Sequence, residues 1–179
     1  MRNTPSPNPH RLDDPVLGPL VESCGFDPET WDFISVGWNT LPELSIWGKK
    51  CHAFLPIDNP GDGRPFRWED YYPGDIQRQT WLYLKENLEK CINEAIPLII
   101  QVGNSIINDT DYGDESIRPC ETAHDLIGYF EDFEVIIWEY EPGMFTVFLR
   151  FRFEPEHGIE VVFRDFKLDE EELMSHMRI

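Results

Sequence analysis

The sequence predicts an α+β fold, a twisted antiparallel sheet with a C-terminal three-stranded meander, covered on one face by a long helix. Two observations carry this. From Phe145 to Phe153 the apolar residues Phe145, Val147, Leu149, Phe151 and Phe153 alternate with Thr146, Phe148, Arg150 and Arg152. That period of two marks a half-buried strand, and Ile159, Val161 and Phe163 resume it after a break. Upstream, Trp81, Leu84, Leu88, Cys91, Ala95, Ile99, Val102 and Ile106 recur at spacings of three and four, the only long helical signal in the chain.

In chain order, Met1–Asp14 reads as a disordered tail, residues 15–168 as a single domain, and residues 169–179 as an acidic tail or frayed helix. Pro15 opens a short helix to Ser23, with Val16, Leu17, Leu20 and Val21 as its apolar side. Phe33–Trp38, Leu44–Trp47 and Lys49–Ile57 are short apolar runs that read as strands of the same sheet. Asn59–Pro65 and Trp68–Pro73 are loop by composition, and Gly74-Asp75 caps the long helix. Gln77, Lys85, Glu86, Glu89, Lys90 and Asn93 form its polar side. Pro97 lies inside the pattern, so a kink or break is expected near Asn93–Glu94, with a second piece to Asn108. Asp109–Pro119 is a loop and Glu121–Phe130 a short helix.

The meander then follows. Glu134–Tyr140 is a strand, and Glu141-Pro142-Gly143-Met144 has the residues of a type II turn. Closing that turn pairs Tyr140 with Phe145, Trp138 with Val147 and Ile136 with Leu149, all on one apolar face. A tight Glu154–Gly158 turn pairs Phe153 with Ile159, Phe151 with Val161, Leu149 with Phe163 and Arg152 with Glu160.

At 179 residues, 41% of them hydrophobic, the chain suits one domain with a real core. It has 15 Lys and Arg against 34 Asp and Glu, a formal charge of −19. Such a charge repels nucleic acid and anionic membranes and attracts basic partners, or simply maintains solubility. Residues 109–179 hold 19 of the acids and 6 of the bases, so the acidity concentrates in the sheet half. Cys24, Cys51, Cys91 and Cys120 form no CxxC pair, and no signal or membrane-length apolar run is present. A cytoplasmic protein with reduced thiols is expected.

Chemical motifs are few. Asp109-x-Asp111-x-Gly113-Asp114-Glu115 resembles a calcium loop, but counted from Asp109 its glycine comes early and the final ligand position falls on Cys120. The histidines show no HxH or HExxH spacing, and no nucleophile elbow, P-loop or GxGxxG is found. Neither a metal nor a cofactor is expected. Glu154, Glu156 and His157 are an acid–base candidate, although an exposed hairpin tip leaves such groups untuned. Arg150, Arg152 and Arg164 share a sheet face with interleaved acids, the pattern of a salt-bridged surface. Trp68, Tyr71 and Tyr72 beside Glu69 and Asp70 suit a protein interface, or fold back onto the core.

Gln77, Gln79 and Asn87 on the helix, and Phe153-Glu154-Pro155-Glu156-His157-Gly158-Ile159 at the hairpin, give the chain a resemblance to a loose group of bacterial domains. That group has members among the immunity proteins of polymorphic toxin systems. The resemblance covers roughly Ile34–Leu168; Phe153 and Pro155 stand where the group's pattern has Trp and a further acid. It implies a small cytoplasmic protein that neutralises a cognate toxin by binding it, and it lends no catalytic residue. The charge argues separately for a partner with a basic surface, with no direct contact to nucleic acid or membrane. The candidate binding surface comprises Trp68, Glu69, Asp70, Tyr71 and Tyr72, with Asp109, Asp111, Asp114 and Glu115, and with Glu139 and Glu141. The alternatives are an acidic inhibitor or DNA mimic acting on a nucleic-acid-binding protein, and an enzyme using Glu156 and His157.

Overall fold

The computed structural model describes residues 9–26, 33–41, 43–57, 71–109, 117–152 and 158–175. In order, these form β1 (Arg11–Asp14), β2 (Gly18–Phe26), β3 (Phe33–Thr40), β4 (Leu44–Ile46), β5 (Lys49–Cys51), β6 (Ala53–Pro56), α1 (Asp75–Asp109), α2 (Ala123–Tyr129), β7 (Phe130–Ile137), β8 (Phe145–Phe151), β9 (Gly158–Arg164), β10 (Lys167–Leu168) and α3 (Glu170–Ser175). Eight strands make one sheet in the order β1-β2-β3-β6-β7-β8-β9-β10. The α+β class agrees with the sequence. Every neighbouring pair in this sheet is antiparallel except β6 and β7, which run parallel and are bridged in sequence by α1 and α2.

Two N-terminal expectations are corrected. Arg11–Asp14, expected within a disordered tail, pair with Val21–Gly18 as β1. The helix from Pro15 to Ser23 is instead a turn and strand β2. The Asp14 Oδ1 accepts the Val16 and Leu17 amides at 2.9 Å each, closing an Asx-type turn. Gly18 follows at φ +78°. Leu17 and Leu20 are buried, as a helix would also place them, so apolar spacing alone does not separate the two structures.

β3 and β6 join the sheet as expected, but β4 and β5 form a separate two-stranded ribbon. Its turn, Trp47-Gly48, has φ +50° and +75°, the positive values that a type I′ turn requires at both positions. The Trp47 ring stacks on Phe130 at 6.4 Å, and its Nε1 donates to Asn93 Oδ1 at 2.7 Å. The ribbon is thereby anchored to both β7 and α1.

α1 is one continuous helix of 35 residues, so the expected break near Asn93–Glu94 does not occur. Pro97 is exposed, and the bond it removes, to the carbonyl of exposed Asn93, lies on the outer side. The stripe from Trp81 through Val102 is buried together with Ile92. Burying each large side chain contributes about 1.5–3 kcal/mol.

Gln77 is not on the polar side, as its sequence position suggested, but is 1% exposed. Its Oε1 accepts the Gly74 amide at 3.0 Å, one arm of a capping box. Its Nε2 donates to the Pro56 and Ile137 carbonyls, both at 3.1 Å. One amide thus ties the start of α1 to the ends of β6 and β7.

The meander forms with different registers. Ile137 pairs with Phe145, Val135 with Val147 and Phe133 with Leu149. The shift from the expected pairing is odd, so Ile136, Trp138 and Tyr140 leave the core face and Phe133, Val135 and Ile137 occupy it. The Glu141–Met144 turn is present: the Met144 amide donates to the Glu141 carbonyl at 3.1 Å and Gly143 has φ +71°. The strand ends before it, at Ile137. Across β8 and β9, Leu149 pairs with Ile159, Val147 with Val161, Phe145 with Phe163 and Phe148 with Glu160. This even shift preserves the faces but replaces the expected Arg152–Glu160 pair. Phe145 and Phe163 stack at 4.5 Å.

At the C-terminus, the Asp169 Oδ1 accepts the Glu172 amide and so caps α3, whose Leu173 is fully buried. The β9–β10 turn, Asp165-Phe166, has positive φ at both residues. Phe166 lies 4.0 Å from the Tyr83 ring and against Gly143, where a Cβ would meet it at 2.8 Å.

Gln77→Leu should cost about 2–4 kcal/mol, because it leaves a buried amide and two carbonyls without this partner. Gln79→Leu, at an exposed position two residues further along α1, should stay within about 0.5 kcal/mol. Urea unfolding of the two variants compares them directly, and equal effects would refute the anchoring role. Gly143→Ala combines positive φ with the Phe166 clash and should cost about 1–3 kcal/mol. A melting temperature unchanged from the native chain would count against that account.

Candidate functional site

The sequence-selected residues that the structure describes gather mainly at the N-terminal end of α1. Gln77 draws the end of β7 to this point, and the chain continues into the loop Trp138–Glu141. The Glu139 carboxylate lies against Gly74, with Oε1 2.9 Å from where a Cβ would stand. This contact sets the loop beside Tyr71–Asp75. Tyr71 is half-buried, and its carbonyl accepts the Trp38 indole at 3.1 Å. Tyr72 is 59% exposed and Tyr140 58%. Tyr140 stacks on Trp138 at 5.5 Å, while the Trp138 Nε1 donates to Thr146 Oγ1 at 3.0 Å. The two tyrosines therefore project from braced loops.

Acids surround them. Asp75 and Glu141 are exposed and Glu139 is half-buried. The positive pole of α1 favours carboxylates at its first turn. Arg78 links Asp75 at 2.9 Å to Asp14, whose side chain is 2% exposed. Burial alone would raise the Asp14 carboxyl, but the Arg78 hydrogen bonds and the Leu17 and Val16 amides outweigh it, and the net shift is downward. On the neighbouring β9 turn, Arg164 binds Asp169 at 3.0 Å and Glu141 at 3.3 Å. Those two acids raise the Arg164 guanidinium, with Asp169 the stronger influence.

Of the described residues of the candidate surface, Asp109 stands apart from Tyr71, Tyr72, Glu139 and Glu141. Asp109 ends α1, roughly 50 Å along the helix axis from Asp75 at about 1.5 Å per residue. Trp68, Glu69, Asp70, Asp111, Asp114 and Glu115 lie outside the described residues, as do Glu154, Glu156 and His157. Tyr140 and Asp75 were missed. Glu134 carried the available signal for Tyr140: it shares a parity with Ile136, Trp138 and Tyr140, and a charge there argues that this face is not the core. Two of the three arginines make the expected salt bridges, Arg150 with Glu134 at 3.5 Å and Arg164 with Glu141 and Asp169, while Arg152 lies over the Tyr129 ring.

Among the described residues, no group of three or more His, Cys, Asp or Glu side chains stands close enough to hold a metal ion. Nor is any described helix long and apolar enough to cross a membrane. Cys51, Cys91 and Cys120 are buried free thiols. Burial, with Asp132 and Glu43 nearby, pushes Cys51 up to about 11. No protein-family model, curated protein sequence or solved structure matches the chain.

The Asp14 shift fixes the sign of a pH effect. A carboxyl whose folded value lies below its unfolded value stabilises the fold above the unfolded value and loses that contribution as the pH falls through the folded one. Asp14→Asn should therefore be less stable than the native chain near neutral pH. The gap should close below about pH 4. Urea midpoints measured across that range test it, and a constant gap would exclude the linkage.

Proposed function

We propose that the chain is a cytoplasmic immunity-type protein that binds and neutralises a cognate toxin through its acidic, tyrosine-bearing end. The observation that carries this reading is the contact of Glu139 with Gly74, which sets Tyr72 and Tyr140 on adjoining loops among Asp75, Glu139 and Glu141. Exposed aromatics supply large contact area at small entropic cost, and such residues recur as interface anchors. The formal charge of −19 supplies long-range attraction toward a basic partner. Toxins that act on nucleic acid need basic surfaces to hold phosphates, so an acidic cover both steers to them and blocks them. The resemblance carried by Gln77, Gln79 and Asn87 supports the same class of protein.

The test begins with capture of a basic partner by the tagged chain, followed by binding kinetics on the purified pair. Association should slow as salt rises, with slower capture for Glu139→Gln combined with Glu141→Gln. Tyr72→Ala with Tyr140→Ala should speed dissociation by about tenfold or more. The partner's toxic activity should be restored by the tyrosine variant. Salt-insensitive association together with unchanged dissociation would exclude this surface.

A further inference from the structure

A second polar site lies at the opposite end of β7 from the tyrosine loops. His52 separates β5 from β6, and only Ala53 and Phe54 of β6 register with β7. Where β5 leaves the sheet, a groove of about 280 Å³ remains on the face away from α1. One wall carries Lys50 and His52. The other carries Asp132, Glu134 and Arg150, and Phe54 adds apolar surface to the lining. In a chain with few bases for its acids, this groove collects both signs of charge in one small volume.

The groups in it are only partly engaged. Glu134 and Arg150 meet at 3.5 Å, and the Glu134 carboxylate makes no hydrogen bond to a described residue. Asn39 and His52 border the same space, and neither side chain has a hydrogen-bond partner among the described residues. Lys50 meets Glu43 at 2.5 Å and is largely exposed. Burial raises the Glu134 carboxyl; Arg150 opposes this and Asp132 adds to it. A half-buried carboxylate short of hydrogen bonds is a favourable seat for an added ammonium.

We propose that this groove binds a small zwitterion of the α-amino-acid class, its ammonium met by Glu134 and Asp132 and its carboxylate by Arg150 and His52. The pairing follows from spacing: the ligand carries its two charges one carbon apart, and Glu134 and Arg150 present theirs side by side. A groove of this size lies just below the usual range of about 300–1,000 Å³ for small-molecule sites and suits a single small metabolite. The site is independent of toxin binding, being at the other end of the same strand.

The experiment is an NMR titration of the isotope-labelled full chain with each common α-amino acid and with its N-acetyl derivative. At least one amino acid should shift the amides of residues 50–54 and 132–135 in a saturable way. Its N-acetyl derivative, which lacks the ammonium, should bind about tenfold or more weakly, the cost of one charge-assisted hydrogen bond. Glu134→Gln should weaken binding by a similar factor. The acetyl comparison on the native chain decides the matter if that variant does not fold. Absence of saturable shifts at millimolar amino acid, or equal binding of the acetylated form, overturns the proposal.

Discussion

The parallel contact between β6 and β7 is the short seam that joins the two halves of the sheet, and the Gln77 amide reinforces it. Two registered pairs, Ala53 with Val135 and Phe54 with Ile136, join an N-terminal antiparallel half to a C-terminal one. The neighbouring β7–β8 ladder runs from Phe130 with Phe151 to Ile137 with Phe145. A ladder as short as β6–β7 fixes neither twist nor alignment well. Gln77 compensates by donating both amide protons across the seam, to Pro56 and Ile137, while its oxygen secures the first turn of α1. A buried amide so satisfied is directional in a way that apolar packing is not. The helix stripe from Trp81 to Val102 then lies over both halves and supplies the nonspecific part of the attraction.

Two hairpins are anchored to α1 by aromatics in strained conformations. Trp47 and Phe166 both hold positive φ, where a non-glycine side chain costs of order 1 kcal/mol or more. Each is held by its contacts: Trp47 by Phe130 and Asn93, Phe166 by Tyr83 and Gly143. Both rings reach the same helix, Trp47 at Asn93 and Phe166 at Tyr83. The strain is local, and the contacts that offset it are tertiary.

The same architecture separates two kinds of surface. At the ends of β6 and β7, Gln77 and Gly74 bring together loops with exposed tyrosines and carboxylates, a surface for a large, basic partner. At their beginnings, the departure of β5 opens a groove lined by both signs of charge, which suits a small ligand. Acidity is widespread on this chain, and these two places combine charge with shape: one projects, the other recedes.

The sequence by itself determined the elements whose signal is local. The α1 stripe, the alternation in β8 and β9, the Glu141–Met144 turn and the short α2 helix were all legible, because periodicity and turn chemistry act over a few residues. The acidity of the chain was legible for the same reason. Register was not: an even slip between β8 and β9 keeps apolar residues facing apolar ones, so pattern is indifferent to it, and the odd slip between β7 and β8 depended on where the loop closed. Val16, Leu17, Leu20 and Val21 fit a helix as well as they fit a turn followed by β2, and β3 as partner decided between them. Gln77 looked like a surface residue because its partners, the Pro56 and Ile137 carbonyls, are far away in sequence. Tertiary structure alone placed them at one point, and with them the neighbouring Tyr72, Glu139 and Tyr140, because satisfying buried polar groups is a demand of the assembled fold and leaves no local trace in the chain.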